Sequence, residues 1–144
     1  MGQYANGVWT NTIDYITIAS TGNAIDFGNA TLSLGNSAGC SSSTRGLIMG
    51  GNNPYSKNDI QYITIASTGN ASNFGDLTVA ASGCAGASSS TRGLRAGGEN
   101  VGSTSNSNVI DYVTIATTGN ALDFGDLTTS RTEVVGLSNA HGGL

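Results

Sequence analysis

The sequence predicts an all-β protein built of repeated four-stranded antiparallel units, and three observations support that reading. The segment Ile-Asp-Tyr-Ile-Thr-Ile-Ala-Ser-Thr-Gly-Asn-Ala at residues 13–24 returns nearly unchanged at 60–71 and 110–121, at spacings of 47 and then 50 residues. A self-similar period of that length marks a repeat architecture, in which each unit buries its apolar face on the next. Charged residues make up only 10% of the 144-residue chain, and Ser, Thr, Asn and 22 glycines supply the polarity instead. Ordinary globular domains carry roughly 25% charge. Finally, Ile, Val, Thr, Tyr and Phe recur in register between turn residues, which is the pattern of ordered β structure and not of a disordered chain.

The units follow in order, most clearly in the middle of the chain. Residues 79–85 read as a small-residue strand, 87–91 as a turn, and 92–98 as a second strand closing on a double glycine. Residues 99–108 form a polar loop without periodicity, and 109–116, rich in β-branched residues, are the strongest strand. Thr118-Gly119-Asn120-Ala121 is a hairpin turn in which Gly and Asn take positive φ, and residues 122–128 return as a fourth, more polar strand. Four short antiparallel strands per unit make a β-propeller blade. The third strand fits a sheet packed on both faces: Ile13, Tyr15 and Thr17 point one way, Ile16 and Ile18 the other. A β-solenoid is the rival architecture, but its coils are shorter and seldom carry a hairpin turn in every unit. The chain reads as one repeat domain over 1–144, with units 1–36, 37–83 and 84–130, and with 131–144 pairing with the N-terminal unit within or between chains.

The run Ser43-Thr44-Arg45-Gly46-Leu47-Ile48-Met49-Gly50-Gly51, followed by a loop and then Tyr62, resembles a kelch repeat, and residues 90–98 with Tyr112 repeat the match. Kelch blades close the second strand on a double glycine and carry an aromatic in the third. Phe27, Phe74 and Phe124 stand where such blades usually have a fourth-strand Trp, which is a departure. Residues 111–128 and the companion Gly-Cys-Ser-Ser-Ser-Thr-Arg-Gly at 39–46 are similar to repeats in large proteins of marine tailed phages, cyanophages among them. The resemblance spans residues 13 to at least 92 and again 110–128. It implies a tail-fibre or other virion-surface module, extracellular after assembly, with other virion proteins among its partners.

Three blades are too few for a ring, since known propellers have roughly four to eight. Residues 139–144 align with 43–48, and Met1-Gly2-Gln3 align with Met49-Gly50-Gly51, so the tail of the chain continues into its head. The expected partner is therefore the chain itself, and two copies head to tail would give a six-bladed homodimer. A piece of a longer ring and an open filament of stacked units are the alternatives.

A net charge of −4 with five basic residues argues against nucleic acid. No apolar run approaches the roughly 18 residues of a membrane span, so membrane insertion is not expected. Residues 1–7 lack both a basic and an apolar region, so no signal peptide is expected and synthesis is placed in the host cytoplasm. Cys40 and Cys84 read as one recurring buried position, filled by Leu137 in the third unit, and hence as free thiols. His141, the single histidine, stands in the slot of Arg45 and Arg92, and no nucleophile–base pair can be assembled around it. No catalytic residue, metal ligand or cofactor is expected. Asp26, Asp76, Asp123 and Asp126 beside the Phe-Gly pairs suit tight turns better than a calcium cage, because Asn29 and Asn73 replace them in some units.

Arg45 and Arg92 are expected to bridge blades or cap carbonyls, and Tyr15, Tyr62, Tyr112, Phe27, Phe74 and Phe124 to be core. The loops at 3–10, 52–58 and 99–108 vary while the frame repeats, which is how recognition is grafted on a rigid scaffold. Trp9, Tyr55, Asn52, Asn53, Glu99 and Asn106 are the candidate ligand-binding residues, with surface carbohydrate as the ligand. The expected function is a non-enzymatic structural or adhesion module. A glycan-binding module is the alternative, and an enzyme with its site at the propeller's mouth ranks third.

Overall fold

The computed structural model describes residues 2–3, 8–102 and 105–138, and among them every regular element is a β-strand. The first unit contains a short hairpin of β1 (Gly2–Gln3) and β2 (Trp9–Thr10), then a pair formed by β3 (Thr12–Tyr15) and β4 (Ile25–Asn29). The second unit is a four-stranded antiparallel meander of β5 (Ala38–Ser41), β6 (Arg45–Met49), β7 (Asp59–Thr64) and β8 (Ser72–Asp76). The third repeats it with β9 (Ala85–Ser88) and β10 (Arg92–Ala96), then a small hairpin of β11 (Glu99–Asn100) and β12 (Ser105–Asn106), then β13 (Val109–Thr114) and β14 (Leu122–Asp126). The units do not close into a ring among the described residues.

Each third–fourth strand pair carries a bulge at the same place. The register shifts after Ile13, Ile60 and Ile110, so that Phe27, Phe74 and Phe124 are the extra residues opposite the break. The glycine that follows each Phe has positive φ (146°, 152° and 138°), a conformation that L side chains rarely adopt. The bulge turns the Phe onto the Tyr of its own third strand, and all three pairs are edge-to-face at 6.0 Å.

Consecutive units are joined by backbone hydrogen bonds, and both junctions use the same set. Gly69 and Ala71 N–H donate to the Phe27 and Asn29 carbonyls, at 2.8 and 2.8 Å. Gly119 and Ala121 N–H donate to the Phe74 and Asp76 carbonyls, at 2.8 and 2.7 Å. Asn29 and Asp76 N–H in turn donate to the side-chain oxygens of Asn70 and Asn120, each at 3.0 Å. The Thr-Gly-Asn-Ala segment joins the third and fourth strands as expected, and Gly69 and Gly119 have positive φ, but Asn70 and Asn120 do not, and the turn also reaches back to the preceding unit.

The approach is close enough to demand glycine. A Cβ at Gly28 would collide with the Gly69 carbonyl, one at Gly75 with the Gly119 carbonyl, and one at Gly86 with the Gly39 carbonyl. The double glycines tie each unit to the segment that leads out of it, since Gly51 and Gly98 N–H donate to the Ala81 and Arg131 carbonyls at 2.9 Å.

The core lies between the second and third sheets. Leu47, Met49, Ile60, Phe74 and Leu77 of the second unit pack against Val113, Ile115 and Ala121 of the third. Three sequence expectations change here. The strand expected at 79–85 begins only at Ala85, because Ala81, Ser82 and Gly83 spend their backbone groups on Gly51, Glu99 and Asn36 of neighbouring segments. Cys40 and Cys84 do not share a position: Gly86 stacks on Gly39, which sets Cys40 level with Ala87 and Cys84 level with Ser37. Leu137 fills no buried slot and is 93% exposed. His141 and residues 139–144 lie outside the described residues.

Gly86 lies in a strand with no left-handed φ, so only the stacking contact should resist a side chain there. Gly86→Ala is expected to cost about 1–3 kcal/mol, the usual cost of overpacking, measured by urea denaturation.

Candidate functional site

The described residues of the three variable loops are tied to one another more firmly than their sequences suggest. The Trp9 ring of β2 lies directly against Gly35, where a Cβ would strike it, so Trp9 is a half-buried anchor. Gly35 exchanges backbone hydrogen bonds with Asn52, at 3.1 and 2.9 Å, and the Asn52 side-chain oxygen accepts from Asn36 at 3.3 Å. Asn53 Nδ2 donates to the Ser33 carbonyl at 2.8 Å. Asn52 and Asn53 therefore hold the loop to the segment after β4, and their side-chain groups are partly used in doing so.

Tyr55 behaves differently. It is 63% exposed, with one ring edge beside Gly102 of the next loop. Ser56 links the two loops through Oγ donation to the Glu99 carbonyl at 3.0 Å and acceptance from Val101 N–H at 2.8 Å. Glu99 and Asn106 face each other across the β11–β12 hairpin, a strand pair where the sequence predicts an unstructured loop. Of the six candidate residues, the structure thus brings Asn52 and Asn53 into one loop with Tyr55, places Glu99 and Asn106 on the next, and sets Trp9 behind Asn52.

A second set of side chains runs from unit to unit. Gln61 Oε1 of β7 accepts from Thr31 N–H and Oγ1, at 2.6 and 2.7 Å. Asp111 occupies the same position of β13, accepts from Thr78 Oγ1 and pairs with Arg95 of β10. The Arg95 and Asp111 side chains are 0% and 1% exposed. Arg95 also caps the Gly97 carbonyl at 2.9 Å, a role that sequence reasoning assigned to Arg45 and Arg92. Arg45 does bridge units, donating from Nη1 to the Ile115 carbonyl at 3.0 Å. It lies 4.5 Å over Tyr62, as Arg92 lies 4.9 Å over Tyr112.

Cys40 and Cys84 are free, and burial pushes both thiols up to about 11. For Cys40 a backbone hydrogen bond from Leu94 opposes the shift. For Cys84 the charge of Arg95 opposes it and that of Asp111 adds to it. No group of three or more His, Cys, Asp or Glu that could hold a metal exists among the described residues. Asp123 Oδ1 accepts from Gly125 N–H at 3.1 Å, the local turn bond expected of it.

Sequence reasoning missed the buried Arg95–Asp111 pair and the linking Ser56, and it did not separate open apolar residues from buried ones. Phe124 and Tyr15, expected to be core, are 52% and 39% exposed, and Ile16, Ile18, Val135 and Leu137 are open as well. Their sequence signal equals that of their buried counterparts, because only a neighbouring unit distinguishes the two states. Comparison of the chain with protein-family models and with curated proteins finds no match to either.

Two predictions follow from the buried groups. Asp111→Ala leaves Arg95 without its partner in the interior, so unfolding in urea should show a loss of about 3–5 kcal/mol. The thiols are held protonated in the fold, with folded values of about 11 against 9.0 for the free group. The unfolded chain therefore releases these protons first as pH rises, so their contribution is complete below 9.0 and lost through about 11. Thermal melts should show stability falling across that window, with a shallower fall in the Cys40→Ala/Cys84→Ala double variant.

Proposed function

We propose that the chain is a non-catalytic structural or adhesion module of a virion surface, in the tail or an equivalent appendage, that works as a homo-oligomer. In this reading the units are kelch-like propeller blades, and further copies complete the ring, two chains supplying six. The observation that carries the proposal is the pair of matching junctions: each is knitted by the same backbone hydrogen bonds, and the stack ends in exposed apolar faces. A scaffold that consumes its glycines and turn amides in joining units is built for assembly and rigidity. The resemblance to repeats of tailed-phage proteins directs the reading to a virion. Antibodies raised against the chain should decorate assembled particles in immunoelectron microscopy; bare particles, with the chain confined to the soluble fraction of the lysate, would refute it.

The exposed Tyr55 favours a second reading, in which the variable loops bind surface carbohydrate by stacking a sugar on that ring. Tyr55→Ala should then abolish signal on a glycan array while leaving the melting temperature unchanged. Trp9→Ala should lower the melting temperature as well, because the Trp9 ring packs on Gly35. A folded wild-type protein with no array signal above background would exclude this reading.

A further inference from the structure

The two ends of the stack are complementary in atomic detail, and we propose that the open face of the third unit takes the first unit of a second copy of this chain. The inference rests on the assembly reading above and goes beyond it by assigning the joint. At each internal joint a Gly-Asn-Ala turn donates two amides to the fourth strand of the preceding unit and accepts one through Asn. Gly22, Asn23 and Ala24 are that turn in the first unit, and all three are exposed. Phe124 and Asp126 are the matching strand positions in the third unit, also exposed. The joint therefore pairs Gly22 and Ala24 N–H with the Phe124 and Asp126 carbonyls, and Asp126 N–H with the Asn23 side chain.

The apolar surfaces match in the same register. Ile115 is 1% exposed where it packs on a complete neighbouring sheet, Ile65 is 43% exposed against the two-stranded first unit, and Ile18, with no neighbouring sheet among the described residues, is 94% exposed. On the other side, Phe74 is 3% exposed beneath the third unit, whereas Phe124 is 52% exposed. Phe124 borders an open apolar groove of about 340 Å³ with Leu94, Ile110, Leu127, Val134 and Val135. Ile16, Ile18 and Ala24 are the counterparts of the residues that fill the equivalent space at the internal joint, Val113, Ile115 and Ala121.

A polar pair follows the same logic. Thr31 bonds Gln61 and Thr78 bonds Asp111, so Thr128, exposed, meets Asp14, exposed on the first unit.

Gly39 supplies an independent observation. Gly86 stacks on the Gly39 carbonyl and Gly136 on the Gly86 carbonyl, yet a Cβ at Gly39 would meet nothing closer than the Leu47 carbonyl at 3.9 Å. Its φ is not left-handed either. Among the described residues nothing requires glycine there. In the joint, Gly39 continues the series by stacking on Gly136 of the preceding copy. The contact is head to tail, so it either closes into a ring or propagates.

The test is the solution mass of the purified 144-residue chain by light scattering, with Gly39→Val and Ile18→Arg beside the wild type. Circular dichroism serves as the folding check. Ile18 is 94% exposed and Gly39 has room, so both variants should fold. The expected result is a wild-type mass of at least two chains and a fall to the 14.4 kDa monomer in either variant. An assembled wild type whose mass neither variant changes would overturn this joint while leaving an oligomeric module in place. A wild type that stays monomeric up to millimolar concentration would overturn the joint together with the homo-oligomeric part of the proposed function. The virion assignment would then stand or fall separately on particle labelling.

Discussion

Everything in this structure depends on how closely the backbone of one unit approaches the backbone of the next. The third–fourth strand turn of each following unit donates amide hydrogens to the bulged strand before it, at Phe27–Asn29 and again at Phe74–Asp76. Such contact between carbonyl and Cα leaves no room for a side chain, which explains why Gly28, Gly75 and Gly86 are glycines. Because the bonds are to backbone, they repeat wherever the backbone repeats, and side chains are free to vary around them. The exchange of Gln61 for Asp111 shows that freedom: both accept from a threonine of the preceding unit, but only Asp111 recruits a buried arginine.

That constraint also determines where stability resides. The second sheet lies between the first and third units, and its Leu47, Met49, Ile60 and Phe74 reach near-complete burial. The first unit, with its two main strands, gives the second a partial cover, and the third has an open outer face. Burial at the repeated isoleucine therefore follows the completeness of the neighbouring sheet. Hydrophobic stabilisation scales with apolar area removed from water, so the end units contribute least and expose what their counterparts hide.

The variable loops are organised by the same stacking. Trp9 rests on the segment after β4, and Ser56 binds the next unit's hairpin. Residues that look like free recognition elements in the sequence are in part the rivets between loops. Tyr55 stands out from a loop whose neighbours hold it in place.

The repeated unit, its antiparallel strands and the bridging Arg45 are legible in the amino-acid order, because β-branched alternation and turn residues act locally. The all-β class needed nothing more. Tertiary structure alone decided the register of the first strand, the separate positions of Cys40 and Cys84, the hairpin at β11–β12 and the outward reach of the Gly-Asn-Ala turn. Each depends on which backbone group finds a partner in a neighbouring unit, and local propensity does not encode that choice. Phe74 and Phe124 show the division most plainly: the same Phe-Gly-Asp-Leu-Thr string is core in one unit and surface in the next, since burial belongs to the neighbour and not to the residue.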